Sequence, residues 1–133
     1  MSDQRKVVER YYAVVGDLSS TVPELAAMLH PDVRITEHPN AVNPRGSVRN
    51  RDEALAAFGA GKLLLEAQRF DVAEVLVDGD RIAVKAEWTG RIRPDAPALA
   101  GSELHAHIAA LLRVAEGLIV EHETFDCYEP FGE

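Results

Sequence analysis

Two strand–turn–strand units sit back to back in the second half of the chain. RFDVAEVLV and RIAVKAEWTGRI flank DGD, and ELHAHIAALLRV and LIVEHETFD flank AEG. Tight turn-forming clusters between runs of apolar and β-branched residues mark antiparallel hairpins. The segments therefore predict four consecutive antiparallel strands, the two units being joined by the loop PDAPALAGS. ELHAHIAALLRV has the alanines and leucines of a helix, but the AEG turn leaves the following strand unpaired unless this segment is a strand too.

The first half reads differently. In DQRKVVERYYAVVGDL, Val7, Val8, Tyr11, Val14, Val15 and Leu18 recur at helical spacing, and Gly16 offers a stop. TVPELAAMLHP starts with Thr21 and Glu24 spaced as a capping box, and Pro31 closes it. DVRITEHP reads as a short strand with Val33 and Ile35 on one face, NAVNPRGS as a loop, and NRDEALAAFGAGKLLLEAQ as a third helix weakened by Gly59 and Gly61. Helices grouped early and strands grouped late predict an α+β domain, with the helices against one face of a curved sheet. No linker or repeat divides the 133 residues, so one domain over 1–133 is expected.

Charge excludes some partners. Lys and Arg number 14 against 22 Asp and Glu, a formal net charge of −8. Such a surface repels nucleic-acid phosphates and anionic lipid alike. The lone Cys127 rules out an intrachain disulfide or a CxxC site and suits a reducing cytoplasm, the expected location. MSDQRKVVERYY lacks the apolar core of a secretory signal, and no apolar run approaches the roughly 20 residues of a membrane span.

Strand parity selects candidate site residues. If Val33 and Ile35 face the core, Glu37 shares their face and His38 does not. A carboxylate beside apolar walls has its pKa raised, which suits proton shuttling; if the strand bends near Pro39, Glu37 reaches water instead. The last strand has no cleanly apolar face: Leu118, Val120, His122, Thr124 and Asp126 alternate with Ile119, Glu121, Glu123 and Phe125. His122 is the side chain most readily tuned for proton transfer near neutral pH. It lies roughly 13 Å along the strand from Asp126, too far for a directly bonded pair. Trp88 shares a face with Ile82, Val84 and Ala86, as pocket wall or as core. His105 and His107 alternate with Leu104, Ala106, Ile108, Ala110 and Leu112, so both point to the outer face. No cysteine and no third ligand at readable spacing joins them, so no metal site is expected there, only an interface or solvated role. No phosphate loop, dinucleotide fingerprint or nucleophile elbow implies a cofactor or a covalent nucleophile.

The phrases VERYYAVVGD, LAAMLHPDVRITEHP, RGSVRNRDEALAAF and LLRVAEGLIVEHETFD together cover almost the whole chain. In this order the chain resembles the SnoaL-like and ketosteroid-isomerase-like families of the nuclear-transport-factor-2-like superfamily. The resemblance implies a cone-shaped, curved antiparallel sheet wrapped around three N-terminal helices, a cystatin-like α+β barrel. It implies a pocket in the cone for a small apolar or cyclic ligand, and a homodimer through the outer sheet face. It places Val120, His122, Thr124 and Asp126 inward, and Glu37 where the isomerases carry their carboxylate base. It sets Tyr11, or Tyr12, where a tyrosine donates to a developing oxyanion, and it makes Trp88, Tyr12 and Phe58 ligand-binding.

The pattern also breaks. The isomerases' second, protonated acid has no counterpart at Ile108, Ala110 or Leu112, and Arg91 and Arg93 lie on the opposite parity from Trp88, which leaves no Asp–Arg–Asp relay. The expectation is a cofactor-independent acid–base enzyme of cyclase or isomerase type acting on a small apolar cyclic or carbonyl compound, with Glu37 or His122 as base and Tyr11 stabilising the enolate. The alternatives are a non-catalytic small-molecule binder and a homodimeric interaction module of the same fold.

Overall fold

The computed structural model describes residues 3–131. Its elements run α1 (Asp3–Val15), α2 (Val22–Ala26), β1 (Leu29–Glu37), β2 (Ser47–Arg49), α3 (Arg51–Leu64), β3 (Leu65–Asp78), β4 (Arg81–Ile92), β5 (Glu103–Ala115) and β6 (Leu118–Tyr128). Helix α1 buries Val8, Tyr11 and Tyr12, the stripe its spacing predicts. Helix α2 opens on a complete capping box. The Thr21 side chain accepts from the Glu24 N–H, and the Glu24 carboxylate accepts from the Thr21 N–H. Asn50 and Glu53 repeat the device at α3. Each box satisfies donors that a helix start otherwise leaves orphaned.

The hairpins form where the turns mark them, and ELHAHIAALLRV is a strand. At the second turn Glu116 and Gly117 both take positive φ, 56° and 75°, the pattern of a type I′ connection matched to strand twist. The boundaries differ from the sequence reading at three places. β1 begins at Leu29, ahead of Pro31. The residues Glu66, Ala67 and Gln68 belong to β3 rather than to the third helix. Ser47–Arg49, at the junction of the loop NAVNPRGS and the third helix, where no strand is expected, pairs with Ile35–Glu37 as β2.

The six strands form one curved sheet in the order β2-β1-β6-β5-β4-β3, packed on the helices. Every pairing is antiparallel except β1 with β6, which is parallel. A parallel neighbour needs a long crossover, and α3 with the β3–β5 meander supplies it. The inner face carries Val75, Ile82, Val84, Ala86, Ala106, Ile108, Ala110, Leu112 and Val114, all buried against Val8, Tyr11, Tyr12, Leu25 and Met28.

One irregularity decides the site. Arg113 pairs with Glu121, but Val114 pairs with Ile119, so Val120 is an extra residue on β6. This bulge reverses the parity of the strand. Ile119, expected outward, is completely buried, and Val120, expected inward with His122, is displaced to a half-buried position. Beyond the bulge His122, Thr124 and Asp126 face the helices. Among the described residues no helix is long and apolar enough to cross a membrane.

Candidate active site

The inner strands converge on the helices around a cavity of about 270 Å³. Tyr11, Tyr12, Glu37, Phe58, His122 and Asp126 all line it. The register explains the gathering. Ile35 stands beside His122 and Glu37 beside Thr124 across the parallel pairing, while Asp126 lies opposite the buried Ile108. Apolar walls come from Leu25, Ala54, Phe58 and Phe70. Two larger depressions, of about 480 and 540 Å³, lie between α1 and β3 beside Arg5 and Glu9, and across outer-face residues of the sheet. Neither brings His122 and a carboxylate of raised proton affinity together with Tyr11 and Tyr12, so chemistry rather than volume selects the smaller one.

Trp88 does not line the cavity. Its ring lies 6.5 Å from Phe70 and 6.4 Å from Tyr128, and its Nε1–H donates to Gln68 Oε1 at 2.8 Å. It therefore backs the Phe70 wall. His38, off the Glu37 face as parity requires, pairs through Nε2 with Glu123 at 2.6 Å and stacks on Phe125.

The chemistry divides into two groups. In the first, the Tyr11 hydroxyl and His122 Nδ1 are 2.7 Å apart, and the Tyr12 hydroxyl lies 3.5 Å from Nε2. Part of His122 is reachable from the cavity, yet its surroundings are apolar or phenolic, and burial pushes its pKa down to about 4. The ring is neutral at pH 7. Burial, and then Tyr12, pushes the Tyr11 hydroxyl up; burial, and then Asp126, does the same to Tyr12. Both phenols keep their protons.

The second group is a carboxylate pair. Burial raises the Asp126 pKa above the usual aspartate value; the Thr124 hydroxyl, donating at 2.6 Å, opposes this, and the charge of Glu37 adds to it. Glu37 accepts from Asn40 Nδ2 at 2.8 Å and has Arg49 Nη1 3.9 Å away. Sequence reasoning missed Arg49 because β2 is only three residues long. Its one signal is Val48, a β-branched residue between Gly46 and the Asn50 cap. Phe70 was missed too, although it is the cross-strand partner of Trp88. A carboxylate with raised proton affinity, a neutral Tyr–His pair and apolar walls can together move a proton at carbon and hold the resulting oxyanion. His105 and His107 lie on the opposite, outer face, beside Glu87 and Glu129.

Among curated proteins, none matches the sequence. Solved structures share the fold at low identity. A protein of ketosteroid isomerase-like fold from Catenulispora acidiphila, in complex with trimethylamine, is 18% identical over 90% of this chain and 83% of its own, with a TM-score of 0.71. IdmH from Streptomyces antibioticus, provisionally assigned as a polyketide cyclase, is 20% identical over 92% of this chain and 91% of its own, with a TM-score of 0.74. An NTF2-like protein of unknown function from Burkholderia pseudomallei is 22% identical over 95% and 92%, with a TM-score of 0.75. The family model of the SnoaL-like domain matches residues 8–122, from the buried face of α1 to His122 in the cavity. The chain belongs to the SnoaL-like domain family.

Proposed function

We propose that the cavity binds a small, largely apolar carbonyl compound and catalyses proton transfer at the carbon next to the carbonyl, with no cofactor. The observation that carries this reading is the gathering of Asp126, Glu37, Tyr11 and His122 around one otherwise apolar cavity. Asp126, whose proton affinity is raised, takes the α-proton; the C–H electron pair moves into the enolate. Glu37, tethered by Asn40 near Arg49, supplies the negative charge that helps keep Asp126 basic. The base role thus passes from Glu37 to Asp126. In the tautomer with its proton on Nδ1, neutral His122 donates to the Tyr11 oxygen and frees the Tyr11 O–H for the enolate oxygen. The proton then returns to another carbon, an isomerisation, or the enolate carbon attacks a second carbonyl in the same molecule, whose π pair moves onto its oxygen and takes the proton back from Asp126, a cyclisation. IdmH's provisional assignment supports the second outcome as a class.

The test is a thermal-shift panel of polycyclic ketones, steroids, aromatic acids and lactones, followed by deuterium uptake at the α-carbon of each hit. A ligand at 100 times its Kd adds about 2.7 kcal/mol, a shift of several degrees in a domain this size. Asp126→Asn should keep that shift and slow exchange by about 10²–10⁴-fold. Stable binding with no exchange by the parent protein would instead make this a binding protein. We also propose a homodimer through the outer sheet face and a cytoplasmic setting, the latter supported by the exposed free Cys127.

A further inference from the structure

The outer face of the sheet holds a second cluster with no part in the proton transfer above. His107 on β5 is the register partner of Glu87 on β4, and His105 stands two residues along the same face. Donor atoms of Glu87, His105 and His107 all lie within 4.8 Å of one another. The imidazoles sit 4.9 Å apart, centroid to centroid. His105 Nε2 is 2.8 Å from Glu87, and Glu129, just past β6, stands 3.3 Å from His105 Nδ1 and 2.7 Å from His107 Nε2. The middle of β4, the start of β5 and the residue just past β6 therefore bring two imidazoles and two carboxylates to one spot. The ligand that sequence spacing could not show comes from the neighbouring strand.

We propose that Glu87, His105 and His107, with Glu129 beside them, form a binding site for a divalent cation of the Zn²⁺ class. Imidazole nitrogens with one carboxylate suit Zn²⁺ and its late first-row neighbours; Mg²⁺ and Ca²⁺ prefer oxygen-only sets. Ligand atoms around tetrahedral Zn²⁺ are roughly 3.3 Å apart, given bonds of 2.0–2.1 Å. The cluster must contract by about an ångström or more, which exposed side chains accomplish by rotamer adjustment. Glu129 then accepts from His105 Nδ1–H, the outer carboxylate that fixes a ligating histidine's tautomer. Water or Glu129 itself completes the coordination. Ligation needs unprotonated ring nitrogens, so binding competes with protons and affinity falls in acid. An ion here ties the middle of β4 to the start of β5 and the end of β6, and His107 is the register partner of Cys127, the residue after Asp126.

Calorimetric titration of the tag-free full chain with Zn²⁺ tests the site, with Co²⁺ as a spectroscopic probe. Saturable one-to-one binding is expected, with tetrahedral Co²⁺ bands in the visible and weak or no response to Mg²⁺ and Ca²⁺. The His105→Ala/His107→Ala double variant should lose affinity by at least roughly tenfold, while its circular dichroism stays that of the parent because both side chains sit on the surface. Glu87→Gln should weaken binding too, and Cys127→Ser, which alters the neighbouring β6 thiol, should leave it unchanged. No saturable Zn²⁺ binding by the parent would overturn the proposal. So would unchanged binding in the double variant, or loss of binding in Cys127→Ser.

Discussion

His122 accepts a proton only near pH 4 because the charged ring would have to leave water, and that preference has a measurable sign. Unfolded, the ring titrates at about 6.5; folded, at about 4. Between those values the unfolded chain holds more protons, so stability rises with pH across the window and is complete above it. The difference corresponds to about 3 kcal/mol. Melting temperature should therefore fall as pH drops from 6.5 to 4, and His122→Gln, which keeps a hydrogen-bonding partner for Tyr11, should flatten that part of the curve. An identical slope in the variant would assign the acid sensitivity to other groups. Asp126 has the opposite sign. Its raised pKa means the folded state holds the extra proton, so its stabilising effect declines as pH rises through the folded value, and at neutral pH the buried carboxylate is a standing cost. Asp126→Asn should thus melt higher than the parent at pH 7 while losing proton transfer. Unaltered or lower stability would mean that the carboxylate is better solvated than its place beside Thr124 and Glu37 implies.

At the scale of elements, the turns and caps were legible because each is a local choice. Thr21 and Glu24, and the AEG turn, carry their reasons within a few residues. The Val120 bulge and the parallel β1–β6 pairing depend on neighbours far along the chain and leave no local trace in the sequence, and the three-residue β2 leaves only Val48. Parity groups His122, Thr124 and Asp126 on one face and the resemblance turns that face inward, which survives because the bulge falls before them; the grouping fails at Ile119 and Val120, which lie at or before it. For Trp88 parity gives the face and leaves wall or core open, because a face does not say which ring stands in front. Gly90 shows how that depth is held. A Cβ there would lie 2.3 and 2.4 Å from two atoms of the Trp88 ring. The six-membered edge of the indole lies over the glycine, in contact with Gln68, Phe70 and Tyr128. Gly90→Ala should displace the ring, destabilise the protein by about 1–3 kcal/mol and change the Trp88 emission, which is unambiguous because the chain has one tryptophan. Unchanged emission and stability would show that the ring has room to move aside.

For the whole molecule, the outer face poses the remaining question of what it meets. Leu76, Ala83 and Leu111 are register partners in one row across β3, β4 and β5. Leu76 and Leu111 stay 62% and 52% exposed, although their neighbours Val75 and Leu112 are buried on the inner face. Apolar side chains aligned across three strands favour burial against another surface, and a second copy of the chain presents the same row. Charge works against such a pairing, because each copy carries a formal charge of −8. Screening weakens that repulsion without weakening apolar contact. A homodimer held by this row should therefore tighten as salt rises, the reverse of an interface built on ion pairs. Sedimentation equilibrium at low and moderate ionic strength should show the dimer gaining with salt, and Leu111→Glu should give a monomer whose melting curve stays close to that of the parent at the same salt. Dissociation by salt would point to an ionic interface elsewhere on the sheet, and a parent that remains monomeric throughout would leave the row to a different partner.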